Sequence, residues 1–120
     1  KINTISENEV TKMDKEYILG KLRENREYFS KYGVTKIGLF GSYVSGEVTE
    51  ESDIDILIKM EENQNNYFNY CYVLYFLEDL FNKKIDLVNA TNDILNYKVP
   101  QVKEHFEKVR KEILESVLYA

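Results

Sequence analysis

Seven residues, DIDILIK from Asp53 to Lys59, most restrict how this chain can fold. The run is too short and too β-rich for a buried helix, so it predicts a strand. Along a strand successive side chains alternate, placing Ile54, Ile56 and Ile58 on one face and Asp53, Asp55, Leu57 and Lys59 on the other. Two carboxylates therefore point the same way from backbones about 6 to 7 Å apart. At that separation, with an effective dielectric of about 20, they repel by roughly 3 kcal/mol. Thr or Val would suit a strand better, so the pair calls for an offsetting charge. A divalent cation supplies it directly, and all-oxygen ligation selects magnesium or manganese over softer metals. No Gly and bidentate Glu follow at the spacing of a calcium-binding loop.

The segments around this strand set its neighbours. From Asp14 to Tyr32 the apolar positions Ile18, Leu19, Leu22, Phe29 and Tyr32 fall on helical spacing, with Gly33 as a C-terminal cap, which predicts one helix. VTKIGLF, bounded by Gly33 and Gly41, predicts a strand. SYVSG predicts a single helical turn from Ser42, followed by a polar loop. Residues 65–81 predict a second long helix, and KKIDLVN a third strand. The strand, helix, strand order implies a parallel neighbour that brings Asp86 beside the acidic pair. A final helix from Tyr97 to Ala120 is predicted from its apolar stripe, with Pro100 in the first turn. Residues 1–13 are polar, without apolar periodicity, and are expected to form a flexible leader to a single domain over 14–120.

Gly41-Ser42, at the end of the first predicted strand, is an ordinary turn dipeptide when taken alone. Its geometry also suits an anion. Without a Cβ, Gly41 admits phosphate oxygens to the backbone, and Ser42 offers a hydroxyl and a helix N-terminal N–H. A phosphate cradle on one strand and an acidic, metal-binding pair on the next are two halves of a nucleoside triphosphate site.

Composition narrows the partners. With 16 basic and 21 acidic residues among 120, the net charge of -5 argues against direct nucleic-acid binding, which needs a basic stripe. A single Cys71 excludes an intrachain disulfide framework and fits a reducing cytoplasm. The longest apolar run, Tyr70 to Leu77, falls far short of the roughly 18 residues of a membrane span. Against this, 10 Tyr and 6 Phe exceed what a small core hides easily. Many of them lie in NYFNYCYVLYFLEDLF, whose core stripe is Tyr70, Val73, Leu74, Leu77, Leu80 and Phe81. Phe68, Tyr72, Tyr75 and Phe76 remain on the other side, and a helix apolar nearly all round is either wholly buried or covered by another chain; full burial is difficult in a domain of this size, so a partner interface is the favoured expectation, in a homo- or hetero-oligomer.

GSYVSGEVTEESDID, with ten residues (43–52) between Gly-Ser and Asp-x-Asp, resembles the signature of the DNA polymerase beta-like nucleotidyltransferase superfamily, in particular its minimal nucleotidyltransferases. The resemblance runs from about Asp14 onward and includes KKIDLV, where the family places a third carboxylate. It implies an α/β (α+β) fold with a small mixed sheet in strand order 1-2-3 and helices packed mainly on one side. It further implies transfer of a nucleoside monophosphate, usually AMP from ATP, to a hydroxyl, with pyrophosphate released. In that scheme Asp53, Asp55 and Asp86 are catalytic: Asp53 and Asp55 hold two Mg2+ ions, or Mn2+, Asp86 helps bind the second ion or takes the proton from the attacking hydroxyl, and Gly41 and Ser42 hold the β and γ phosphates. Stand-alone members of this size are often antitoxins of helical HEPN-domain toxins, some acting by adding AMP to a toxin tyrosine. Occlusion of the toxin without catalysis, and transfer to a small molecule, are the alternatives. One departure stands out: many members carry Ala-Arg-Gly after Gly-Ser-x, whereas this chain has Val44-Ser45-Gly46. Lys36, Lys59, Lys83 and Lys84 are the candidates to replace that arginine.

Overall fold

A computed structural model of the chain describes residues 13–62, 65–90, 111 and 115–120. The expected leader falls almost wholly outside these residues, as does most of the expected last helix.

The first helical region is two helices, not one. Helix α1 spans Lys15–Glu24, capped by Asp14, whose carboxylate accepts the Tyr17 N–H at 2.9 Å. Helix α2 spans Arg26–Lys31. Asn25 breaks them apart because its side-chain amide donates to the Lys21 carbonyl at 2.9 Å, offering the backbone an alternative to the helical ladder. The apolar spacing survives the break: Ile18, Leu19, Leu22 and Phe29 are all buried. Gly33, at φ 85°, turns the chain into strand β1, Val34–Phe40.

Strand β1 is followed by the single turn α3, Ser42–Ser45, as the sequence suggests, then by strand β2, Ile54–Met60. Helix α4, Asn66–Phe81, carries the chain across to strand β3, Ile85–Asn89, which pairs with β2 in parallel. Strands β1 and β2 are antiparallel. The expected order 1-2-3 holds for these three, but the sheet has a fourth member. Leu118–Tyr119 form strand β4, antiparallel to β1, and the order is β3-β2-β1-β4.

That strand corrects the expectation of a helix reaching Ala120. Helical geometry is present at Lys111 and at Glu115–Ser116, but the chain then extends along the free edge of β1. Unpaired N–H and C=O groups on that edge are satisfied by the pairing, including Ala120 N–H to the Ile37 carbonyl at 2.9 Å. Gly38 makes the approach possible, since a Cβ there would lie 2.8 Å from the Leu118 carbonyl oxygen and 2.7 Å from a Val117 methyl.

The alternation read from DIDILIK sorts the two faces of the sheet. Ile54, Ile56 and Ile58 join Leu39, Ile85 and Leu87 in the main core, under α1, α2 and α4. Leu57 lies on the opposite face in a small cluster with Phe40 and Ala90, flanked by Val88 and Val117. Helices α1, α2 and α4 thus pack on one side, and the acidic side chains emerge on the other. Among the described residues no helix is long and apolar enough to cross a membrane.

Candidate active site

Strand pairing assembles the site. In the register of the sheet Asp55 stands opposite Phe40 on β1 and opposite Asp86 on β3. Directly opposed residues share a face and lie one strand spacing apart, roughly 4.8 Å. Asp53 precedes β2 by one residue and completes the acidic group at the same end of the sheet.

The electrostatics register the crowding. Asp55 is half-buried, and its carboxyl is pushed up to about 6, first by burial, then by the charge of Asp86 and a hydrogen bond with it, then by Asp53. The Ser42 backbone N–H, aimed at the same carboxyl, pulls the other way. Asp55 is thus a group that gains from any cation placed against it.

Gly41 is where the turn and the acids meet. Its φ of 76° lies in the region that disfavours a side chain, and a Cβ built there would run into the Asp55 carboxyl group. The glycine expected to admit phosphate is therefore also required by the neighbouring acid. Gly41, Ser42, Asp55 and Asp86 form one contiguous surface.

The approach to Asp53 is built from the turn before β3. Lys83 Nζ donates to the Glu50 carbonyl at 3.1 Å, tethering the polar loop, and Lys84 Nζ lies 4.0 Å from Asp53 Oδ2. Strand β3 is positioned from its outer side as well: the Tyr70 hydroxyl on α4 donates to the Leu87 carbonyl at 2.7 Å, one residue beyond Asp86. Burial, then the Asp86 charge, raises the Tyr70 phenol above its ordinary range, which keeps it a donor. The sequence offered no signal for this bond beyond Tyr70's place on the core stripe.

Among the described residues no three acidic, histidine or cysteine side chains stand in a ready-made metal cage. The donor chemistry nevertheless fits a hard divalent ion: two opposed carboxylates whose mutual repulsion a cation relieves, and a third, Asp53, whose carboxylate faces the exposed Lys84 ammonium at 4.0 Å. Cavities bounded by described residues lie away from the acids. One, of about 450 Å³, lies at the β1–β4 edge against Leu22, Arg26, Phe29 and Tyr119. Another, of about 510 Å³, lies between Met13, Tyr43 and the loop at Val48–Glu50. Neither is lined by Asp53, Asp55 or Asp86.

The nucleotidyltransferase domain model matches residues 20–119. The chain belongs to the nucleotidyltransferase domain family. This nucleotidyltransferase is 36% identical over 100 residues to a candidate protein adenylyltransferase of Methanocaldococcus jannaschii, covering 82% of this chain and 89% of that one. It is 41% identical over 63 residues to the protein adenylyltransferase MntA of Thermococcus cleftensis, covering 52% of this chain and 63% of that one. A solved structure of a candidate minimal nucleotidyltransferase shares the fold, with a TM-score of 0.63 at 23% identity, covering 90% of this chain and 97% of that one.

The aromatic face of the nucleotidyltransferase's α4 differs from expectation at Tyr67 and Phe76. Phe68, Tyr72 and Tyr75 are 60%, 52% and 62% exposed, and Tyr67 joins them at 74%. Phe76 instead turns inward, stacking on Tyr28 at 3.9 Å and meeting Phe29 edge-on at 5.6 Å. The break at Asn25 sets α2 as a separate helix, and its Tyr28 and Phe29 are the rings that receive Phe76.

Proposed function

We propose that this nucleotidyltransferase transfers AMP from ATP to a tyrosine hydroxyl of a helical HEPN-type toxin and so acts as its antitoxin, in the cytoplasm. The reading is supported above all by the convergence of Asp55 with Asp86 on one side and with Gly41 and Ser42 on the other.

In this reading Asp53, Asp55 and Asp86 hold Mg2+. When bound, Mg2+ held there would supply charge neutralisation for the phosphates and so favour in-line displacement. Gly41 leaves the backbone bare for the phosphate oxygens, and the Ser42 hydroxyl donates to them, while the Ser42 N–H stays on the Asp55 carboxyl. Asp86, solvent-exposed on the outermost strand, takes the proton from the acceptor oxygen as that oxygen bonds to the α-phosphorus and pyrophosphate departs. Tyr70 keeps Asp86 in register through the Leu87 carbonyl.

The acceptor assignment draws on the open acidic surface, which suits a hydroxyl on another macromolecule, and on relatives named as protein adenylyltransferases. The exposed rings of Tyr67, Phe68, Tyr72 and Tyr75 supply apolar area for such a partner. Occlusion without transfer is the second reading, favoured by Val44-Ser45-Gly46 in place of the arginine motif.

Incubation with labelled ATP, Mg2+ and a HEPN partner separates the two. Transfer labels a partner tyrosine and requires Asp53 and Asp55. Label that persists in the Asp53→Asn, Asp55→Asn double variant overturns the site. Protection by that variant without labelling establishes occlusion.

A further inference from the structure

The missing arginine leaves the site short of a cation, and four lysines are the candidates in sequence. Lys36 and Lys59 are register partners well along the strands from the acids. Lys59 is four residues from Asp55, about 13 Å along an extended chain. The Lys36 ammonium lies 5.4 Å from the Tyr119 ring centre, at the β4 edge. Lys83 is committed to the Glu50 carbonyl at 3.1 Å. Lys84 differs from all three. Its ammonium is 4.0 Å from Asp53 Oδ2, its side chain is 76% exposed, and its own carbonyl accepts the Ile54 N–H at 3.1 Å, which holds its backbone against the start of β2.

We propose that Lys84 is the phosphate-binding cation of this site, and that its contact with Asp53 is a resting position given up when a metal–nucleotide complex arrives. The proposal rests on the reading of the acids as a metal–ATP centre. An exposed pair at this distance contributes little to stability, so releasing it costs little. A triphosphate offers the ammonium several charged oxygens, each a stronger partner than one solvated carboxylate. Lysine suits the exchange because its charge is compact and its four-carbon stem is flexible. In the nucleotide-free protein Lys84 and a divalent ion compete for Asp53; once nucleotide is bound, both work on the same phosphates.

The two roles give effects of opposite sign. Lys84→Met removes the competitor and tightens Mn2+ binding without nucleotide, by about threefold or more, as read by electron paramagnetic resonance. The same variant binds the Mn2+ complex of a non-hydrolysable ATP analogue roughly tenfold more weakly by calorimetry, as expected for loss of one charge-assisted hydrogen bond. Lys84→Arg restores nucleotide binding, and Lys59→Met leaves both values as in the unaltered protein. Unchanged nucleotide affinity in Lys84→Met overturns the phosphate role, and unchanged Mn2+ affinity overturns the resting contact. Failure of the unaltered protein to bind the Mn2+–nucleotide complex would sink the metal–ATP reading itself, and this proposal with it.

Discussion

Asp55 and Asp86 stand opposite one another on the parallel pair β2 and β3, and the charge of Asp86 adds to burial in holding the Asp55 carboxyl above its usual range. The arrangement is unfavourable for the metal-free fold, as the raised Asp55 carboxyl records. Replacing Asp55 by Asn keeps the shape, removes the charge and lets the amide donate to Asp86. Asp55→Asn is expected to abolish nucleotidyl transfer while raising metal-free stability at pH 7.5. Discounted for solvent screening, the gain is on the order of 1 kcal/mol, or about 4 °C in Tm for a domain of this size. A lowered Tm with loss of transfer would instead make Asp55 a structural residue.

The same carboxyl sets a pH dependence. Its ordinary value is 3.8 and the fold raises it to about 6, so between these values the folded chain holds a proton that the unfolded chain has lost. The stabilisation is full below 3.8 and disappears as pH rises through about 6. Urea titrations of the metal-free protein should show stability falling across that window. Millimolar Mg2+ should flatten the fall, and Asp55→Asn should remove this contribution.

Gly41 and Gly46 allow a matched comparison, because both have positive φ, at 76° and 89°. A Cβ at Gly46 meets nothing within 4 Å, whereas at Gly41 it enters the Asp55 carboxyl group. Gly46→Ala should cost only the backbone penalty of about 1 to 2 kcal/mol and retain transfer. Gly41→Ala should cost more in denaturant melts and reduce kcat by roughly a hundredfold or more, a loss in the range for a displaced catalytic group.

Tyr70→Phe removes one hydroxyl and leaves the packing. Loss of the bond to the Leu87 carbonyl should cost about 1 kcal/mol and lower kcat with little change in KM for ATP, because Asp86 moves but Gly41 and Ser42 do not. An equal effect on both constants would assign Tyr70 to general stability.

The rings of α4 divide by burial. Phe68→Ser, Tyr72→Ser and Tyr75→Ser should each leave the melting curve within about 0.5 kcal/mol of the unaltered protein, and together they should weaken capture of the partner chain. Phe76→Ala removes a stack on Tyr28 and should cost roughly 2 to 3 kcal/mol. A triple Ser variant that binds its partner normally removes α4 from the interface.

Local pattern alone determined the three main strands, the single turn at Ser42 and the two faces of β2, because each depends on residues within a few positions of one another. The same reasoning placed Gly41, Ser42, Asp53 and Asp55 in a candidate site, and the strand-helix-strand order was enough to bring Asp86 beside them. Only the tertiary structure decided what depends on distant partners. Leu118–Tyr119 leave a helical pattern because the edge of β1 is free and Gly38 is bare. Phe76 turns inward because the break at Asn25 brings Tyr28 and Phe29 to meet it, and Lys84 is distinguished from three other lysines because the turn before β3 ends against Asp53. Periodicity records which way a side chain points from its own backbone; what it meets there depends on pairing and packing between segments far apart in the chain.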